Sequence, residues 1–113
     1  MATIEQVQKG FVRLVDNHIS VAFDGWQRAV VSGCAGLLAA NLPKIMKTYA
    51  DNPIVASLGV YDPERGTVDI DALYNAFVPK LGSDKLPISV PSLGTIKLGR
   101  EEFDALRQYI KEA

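Results

Sequence analysis

From Ala29 to Leu42 the chain carries no charged side chain, and the run WQRAVVSGCAGLLAANL, Trp26 to Leu42, is built almost wholly of small or aliphatic residues. Helical periodicity sets Ala29, Gly33, Gly36 and Ala40 on one face, at spacings of four, three and four, with Val30, Cys34, Leu37 and Leu38 on the other side. A helix that is apolar almost all round belongs in a core, a subunit interface or a membrane, so this segment is expected to be buried. Gly33 and Gly36 each cost about 1 kcal/mol relative to alanine inside a helix. That cost is offset where the missing side chains let another backbone come close. The preceding helix is the nearest candidate, and the same small-residue face would serve equally between two subunits. The run is shorter than the roughly 20 apolar residues that span a bilayer, and it is rich in Gly, Ala and Ser rather than Leu and Ile.

Composition narrows the function classes. The 113 residues match one domain, 1–113, with no boundary that would divide it. Twelve Lys and Arg face 13 Asp and Glu, and like charges never run beyond adjacent pairs. Nucleic-acid binding draws its affinity from clustered cations, and anionic membranes from basic patches, so both are disfavoured. A single cysteine cannot form an internal disulfide, and Cys34 reads as a small buried hydrophobe. The N-terminus, MATIEQVQKGFVRLV, lacks the basic leader, apolar core and cleavage site of a secretory signal, and a cytoplasmic location is expected.

Taken in order, Thr3 with Gln6 predicts a capping box. It opens an amphipathic helix whose stripe runs Ile4, Val7, Phe11, Leu14, Val15, His18 and Ala22. Asp24 with Gln27 predicts a second capping pair at the start of the central helix, which forms an antiparallel hairpin with the first. Pro43 places a boundary near Asn41–Leu42 and starts a third helix to about Ala50. Asn52 caps a short turn of helix, Pro53 to Leu58, with Gly59 as its C′ residue. Val60-Tyr61 and Thr67-Val68, flanking Asp62-Pro63-Glu64-Arg65-Gly66, predict a β-hairpin. Asp69 or Asp71 caps the next helix, with inner face Ile70, Leu73, Tyr74 and Phe77, stopped by Pro79 and Gly82. Ile88-Ser89-Val90 and Thr95-Ile96-Lys97-Leu98 alternate around Pro91-Ser92-Leu93-Gly94 as a second hairpin. Gly99 starts a last helix with Phe103, Leu106, Tyr109 and Ile110 as its stripe. No internal repeat or low-complexity segment interrupts this order.

Few residue sets carry chemistry. Asp62, Glu64, Asp69 and Asp71 around Gly66 invite a calcium loop, but the register is one residue short and the closing Glu is replaced by Leu73. A turn and a helix cap explain the same residues without a metal. His18 is the only histidine, and with Cys34 it supplies at most two zinc ligands. A Cys34–His18 nucleophilic pair would need an electropositive, partly open setting, whereas Cys34 lies in the least charged part of the chain. VSGCAG lacks the preceding strand and the Lys-Ser/Thr ending of a phosphate loop. Adjacent Glu101 and Glu102 point apart on a helix. Trp26, Arg28, Tyr61 and Tyr109 are of the residue types that dominate binding hot spots, although Trp26 also suits the edge of a core.

The sequence therefore predicts an α+β, mainly α-helical domain: an N-terminal antiparallel helix pair, further short helices, and one or two small antiparallel hairpins packed on a single core. The expected function is non-enzymatic, an interaction or assembly protein acting as a homo-oligomer, of a kind common in phage, prophage and bacterial accessory operons. The expected interface residues are Trp26, Ala29, Gly33, Gly36 and Ala40, with no catalytic residue, metal or cofactor and with the chain itself as partner. The alternative is a small-molecule binding domain or small enzyme, its pocket between the helix pair and the hairpins and drawing on His18 or Tyr74. A third reading inserts the Trp26–Leu42 helix into a membrane surface, against which stands its lack of a basic polar face.

Overall fold

The first structured residues already make a tertiary contact. In a computed structural model of the chain, which describes residues 1–90 and 94–113, Ala2–Thr3 (β1) pairs antiparallel with Thr67–Val68 (β3). On its other side β3 pairs with Tyr61–Asp62 (β2), giving a three-stranded sheet in the order β1-β3-β2. The hairpin between β2 and β3 follows the sequence expectation, and β1 is an addition to it. Thr3 is at once the end of β1 and the N-cap of α1 (Ile4–Leu14). The capping box forms in full, with Gln6 N–H donating to Thr3 Oγ1 at 3.1 Å and Thr3 N–H to the Gln6 side chain at 2.9 Å.

The first helix does not run on to Ala22 as one regular element. After α1 the backbone widens into a π-helical turn, Val15–Ile19, and tightens into a 3-10 turn, Ser20–Ala22. Ser20 Oγ donates to the Asp16 carbonyl inside this stretch, and both Val15 and Ile19 are buried. The apolar stripe is kept, but through a wider turn than the regular period supplies.

The central helix, α2 (Trp26–Ala40), starts from Gly25 at φ 59° rather than from Asp24, whose side chain makes no capping bond. α3 (Leu42–Tyr49) begins with Pro43 in its first turn, and α4 (Pro53–Leu58) is capped by Asn52 and closed by left-handed Gly59, as expected. Asp69 caps α5 (Ile70–Leu81) through Ala72 N–H. Pro79 does not end that helix. It sits in the last turn, where a single backbone bond is forgone, and Gly82 forms the terminus. Leu86–Val90 (β4) and Gly94–Leu98 (β5) form the second hairpin, while the turn expected at Pro91-Ser92-Leu93 lies outside the described residues. α6 (Arg100–Glu112) closes the described chain, with Glu102 accepting from Gly99 N–H at its start. The fold is α+β and mainly helical, packed as one globule.

α1 is the hub, and α2 and α6 lie antiparallel to it on two sides. Gln8 donates to the Ala39 carbonyl and Ser32 to Asp16, which fixes the direction of α2. Gln6 donates to the Ala113 carbonyl and Arg13 pairs with Glu112 at 2.7 Å, which fixes α6. α1 and α2 form the expected antiparallel pair, and the larger contact of α1 is with α6. Gly10 makes it possible: a Cβ there would stand 2.8 Å from the backbone nitrogen of Ile110, and Ile110 is only 1% exposed. Leu14, Val15, Ile19, Phe23, Val31 and Ala35 form the main buried cluster, and Ala2, Ile70 and Ile110 a second one.

Candidate functional site

The expectation that α2 is buried all round is overturned. Its buried residues are Val31, Ala35 and Ala39, one stripe at spacings of four. The rest of the helix faces outward, both the small-residue side and the aliphatic side. Trp26 and Leu37 are each 69% exposed, and Val30 and Leu38 are exposed with them. Ala29, Gly33, Gly36 and Ala40 also lie on the exposed side. Nothing stands within 4 Å of a Cβ built at Gly33 or Gly36, so α1 does not pack on the small-residue face. The physical reason is geometric: Gln8 and Asp16 of the first helical stretch grip α2 through Ala39 and Ser32, and those positions turn the Val31–Ala35–Ala39 stripe inward.

The stripe opposite the buried one reads Trp26, Val30, Gly33, Leu37 and Ala40, again at fours and threes. It places a large aromatic at one end, two aliphatics along the row and a glycine between them. α3 and α4 extend the apolar exposure with Tyr49, Ile54 and Leu58. Exposed apolar groups in such a row mark interaction surfaces more often than scattered single ones do. Cys34, read from sequence as buried, is exposed and borders a separate apolar concavity. Trp26 is exposed rather than set at the edge of the core.

That concavity lies where the alternative reading places a pocket, between the helix pair and the second hairpin. It has a volume of about 280 Å³, and Phe11, Val15, Val31, Leu38, Ile88 and Ile96 contribute to its walls. Among the described residues no ionisable group other than the Cys34 thiol lines it. His18 and Tyr74 lie elsewhere. His18, on the π-helical turn, meets the Tyr109 hydroxyl through Nε2 at 2.9 Å, and the Arg13 guanidinium lies 4.3 Å from the centre of the Tyr109 ring. A polar concavity of about 430 Å³ opens beside it, between His18, Gln27, Thr95 and Lys97. Tyr74 donates to Asp104 across the α5–α6 seam and lines a cleft of about 490 Å³. Sequence reasoning missed that cleft, although the spacing of Leu73, Phe77 and Leu81 marks one of its walls. Phe77, assigned to the inner face of α5, is 49% exposed there, while Val78 takes the buried position.

The acidic set resolves into local bonds. Asp62 Oδ1 accepts from Glu64 N–H and Arg65 N–H in the turn, Asp69 caps α5, and Asp71 pairs with Lys111 at 3.0 Å. The Lys111 hydrogen bond, reinforced by the charges of Lys111 and Arg107, holds the Asp71 carboxyl below its ordinary range. Among the described residues no three His, Cys, Asp or Glu side chains converge as metal ligands. No single helix among them is long and apolar enough to cross a membrane. α2 and α3 reach that length only together, bent by 52°. No protein-family model matches the chain, and neither a curated protein sequence nor a solved structure matches it significantly.

Proposed function

We propose that this chain is a non-enzymatic interaction or assembly protein that acts as a homo-oligomer through the outer face of α2. One observation carries the reading: two helix-interior glycines, Gly33 within the row of exposed apolar side chains and Gly36 beside it, stand in open space among the described residues. Each glycine costs about 1 kcal/mol of helix stability. Nothing among the described residues offsets that cost, whereas a second backbone packed against the row would. Trp26 at one end has the size and amphipathic character of a hot-spot residue, and Leu37 and Val30 would supply the apolar centre around it. At 15 residues α2 is about 22 Å long, enough for the core of a standard interface if α3 and α4 join its rim.

The test is solution mass by light scattering after size exclusion, at tens of micromolar, for the wild type and for Gly33→Leu. The expected result is a dimer or larger for the wild type and a folded monomer for the variant. Because no atom lies within 4 Å of the added Cβ, Gly33→Leu leaves the fold of the single chain intact. A wild type that stays monomeric at this concentration overturns the reading. So does flotation of the protein with vesicles, which would assign the same face to a membrane surface.

The small-molecule reading stands second, favoured by the apolar concavity between the helix pair and the second hairpin. It is weaker because such sites rely on a few convergent polar groups to orient a ligand, and this lining offers only the Cys34 thiol.

A further inference from the structure

The outer row of α2 alternates in size along its length. Trp26, Val30 and Leu37 are large, and Gly33 and Ala40, with Ala29 and Gly36 beside the row, are small. A helix face can meet its own copy with twofold symmetry in two ways. With the axis along the helices, the copies run parallel and every residue of the row meets itself. Trp26 would stand on Trp26 and Leu37 on Leu37, and those pairs would hold the backbones apart at Gly33. With the axis perpendicular to the helices, the copies run antiparallel and the row meets itself reversed. An axis at Gly33 sets Trp26 at the level of Ala40 of the second copy, Val30 at that of Gly36 and Leu37 at that of Ala29. Large then meets small, and the backbones come close where glycine leaves room.

The charges at the two ends of the row fit the same arrangement. Ala29 to Leu42 is uncharged, while Asp24 stands just before α2 and Lys44 in the first turn of α3. Both are exposed, and neither forms an ion pair among the described residues. Antiparallel copies centred on Gly33 bring Asp24 of each within a helical turn of the level of Lys44 of the other, so opposite charges meet at both rims. Parallel copies would set Asp24 against Asp24 and Lys44 against Lys44, and would align the two helix dipoles unfavourably. We infer that the α2 face docks a second copy of this chain antiparallel to itself, about a twofold axis at Gly33, with Asp24 of each copy facing Lys44 of the other. The arrangement rests on the self-association proposed above and adds its geometry.

Cys34, the one cysteine of the chain, is exposed beside the row and reports on the arrangement. In an antiparallel pair centred on Gly33 the two Cys34 side chains lie on the same side of the interface, about 3 Å apart along the axis, and the two Ala40 residues about 21 Å apart. A parallel pair puts the Cys34 residues on opposite sides and the Ala40 residues level with each other. The test is cross-linking of the full chain at tens of micromolar with a short bis-maleimide, for the wild type and for the double variant Cys34→Ser, Ala40→Cys, each with its mass read by light scattering. The dimer is expected to cross-link through Cys34 and not through position 40. Asp24→Lys or Lys44→Asp alone should raise the dimer dissociation constant about three- to tenfold, and the two together should return it to near the wild-type value. A wild-type monomer removes the self-association itself, and the arrangement with it. A dimer that cross-links at position 40, or fails to at Cys34, or is not rescued by the double charge swap overturns the antiparallel arrangement and leaves self-association standing.

Discussion

Glycine lies within two helices of this chain and means opposite things in them. On α1, Gly10 is buried, and the backbone of Ile110 occupies the space its side chain would need. On α2, Gly33 and Gly36 have nothing within 4 Å of where a side chain would begin. The helix-propensity cost is the same at each position. At the α1–α6 seam the fold itself accounts for it, because the close approach buries Ile110 and aligns the Arg13–Glu112 and Gln6–Ala113 contacts. On the outer face of α2 the single chain gives no return for it. The seam is a closed contact, and the face is an open one among the described residues.

This contrast breaks first at Ile110. Removing its buried side chain, Ile110→Ala, should cost about 3 kcal/mol, within the range for large-to-small changes at fully buried sites, read from urea denaturation. Gly10→Ala should cost about 2 kcal/mol, since the new methyl must displace backbone rather than a flexible side-chain end. The same substitution on the other helix, Gly33→Ala, should raise the stability of the monomer by about 0.5–1 kcal/mol. The pair is to be compared at dilution low enough that association contributes nothing. A stabilising Gly10→Ala would mean that the seam is looser than drawn. A destabilising Gly33→Ala in the monomer would mean that the face is covered.

Much of the secondary structure was legible because it is dictated locally. The Thr3–Gln6 capping box, the Asn52 and Asp69 caps, left-handed Gly59 and the alternation of the second hairpin each depend on residues within a few positions of one another. What the sequence could not give is which helix meets which. The residues of α2 are apolar in every direction, so periodicity alone cannot choose a buried side. Gln8, Asp16 and Ser32 make that choice through bonds that no spacing rule foresees. The π-helical turn was hidden for a related reason, as Val15 and Ile19 keep an apolar period of four whether the turn is regular or wide. The α5–α6 cleft was half visible. The α5 wall follows from its spacing, but the tie between α5 and α6 at Tyr74–Asp104 joins residues far apart in sequence. Pro79 misled because the one backbone bond it forgoes does not stop α5, which runs on to Leu81.

The smallest expected effect sharpens the contrast electrostatically. Ion pairs between elements converge on α6: Arg13–Glu112 from α1, and Asp71 of α5 with Lys111 and Arg107. The outer face of α2, from Ala29 to Ala40, holds no charge at all. Hydrogen bonding from Lys111 lowers the Asp71 carboxyl below its ordinary range, and hydrogen bonds from Gln108 and then Arg13 do the same for Glu112. A carboxyl whose folded-state pKa is depressed contributes stability that is fully present above its ordinary value and is lost as pH falls through the folded-state value. Both contributions therefore vanish only in acid below the ordinary carboxylate range, and neutral and mildly acidic pH leave them intact. Both groups lie at the surface, so salt screens them and the change is small. Denaturation series from pH 6 to pH 2 should show the acid limb flattened in an Asp71→Asn, Glu112→Gln double variant, and in the wild type at 1 M salt. Hydrogen-exchange protection, taken relative to the intrinsic rate at each pH, should fall in acid at α6 before it does at the buried stripe of α2. An acid limb unchanged by the double variant would remove these pairs from the account of the seam and leave Gly10 and Ile110 to hold it alone.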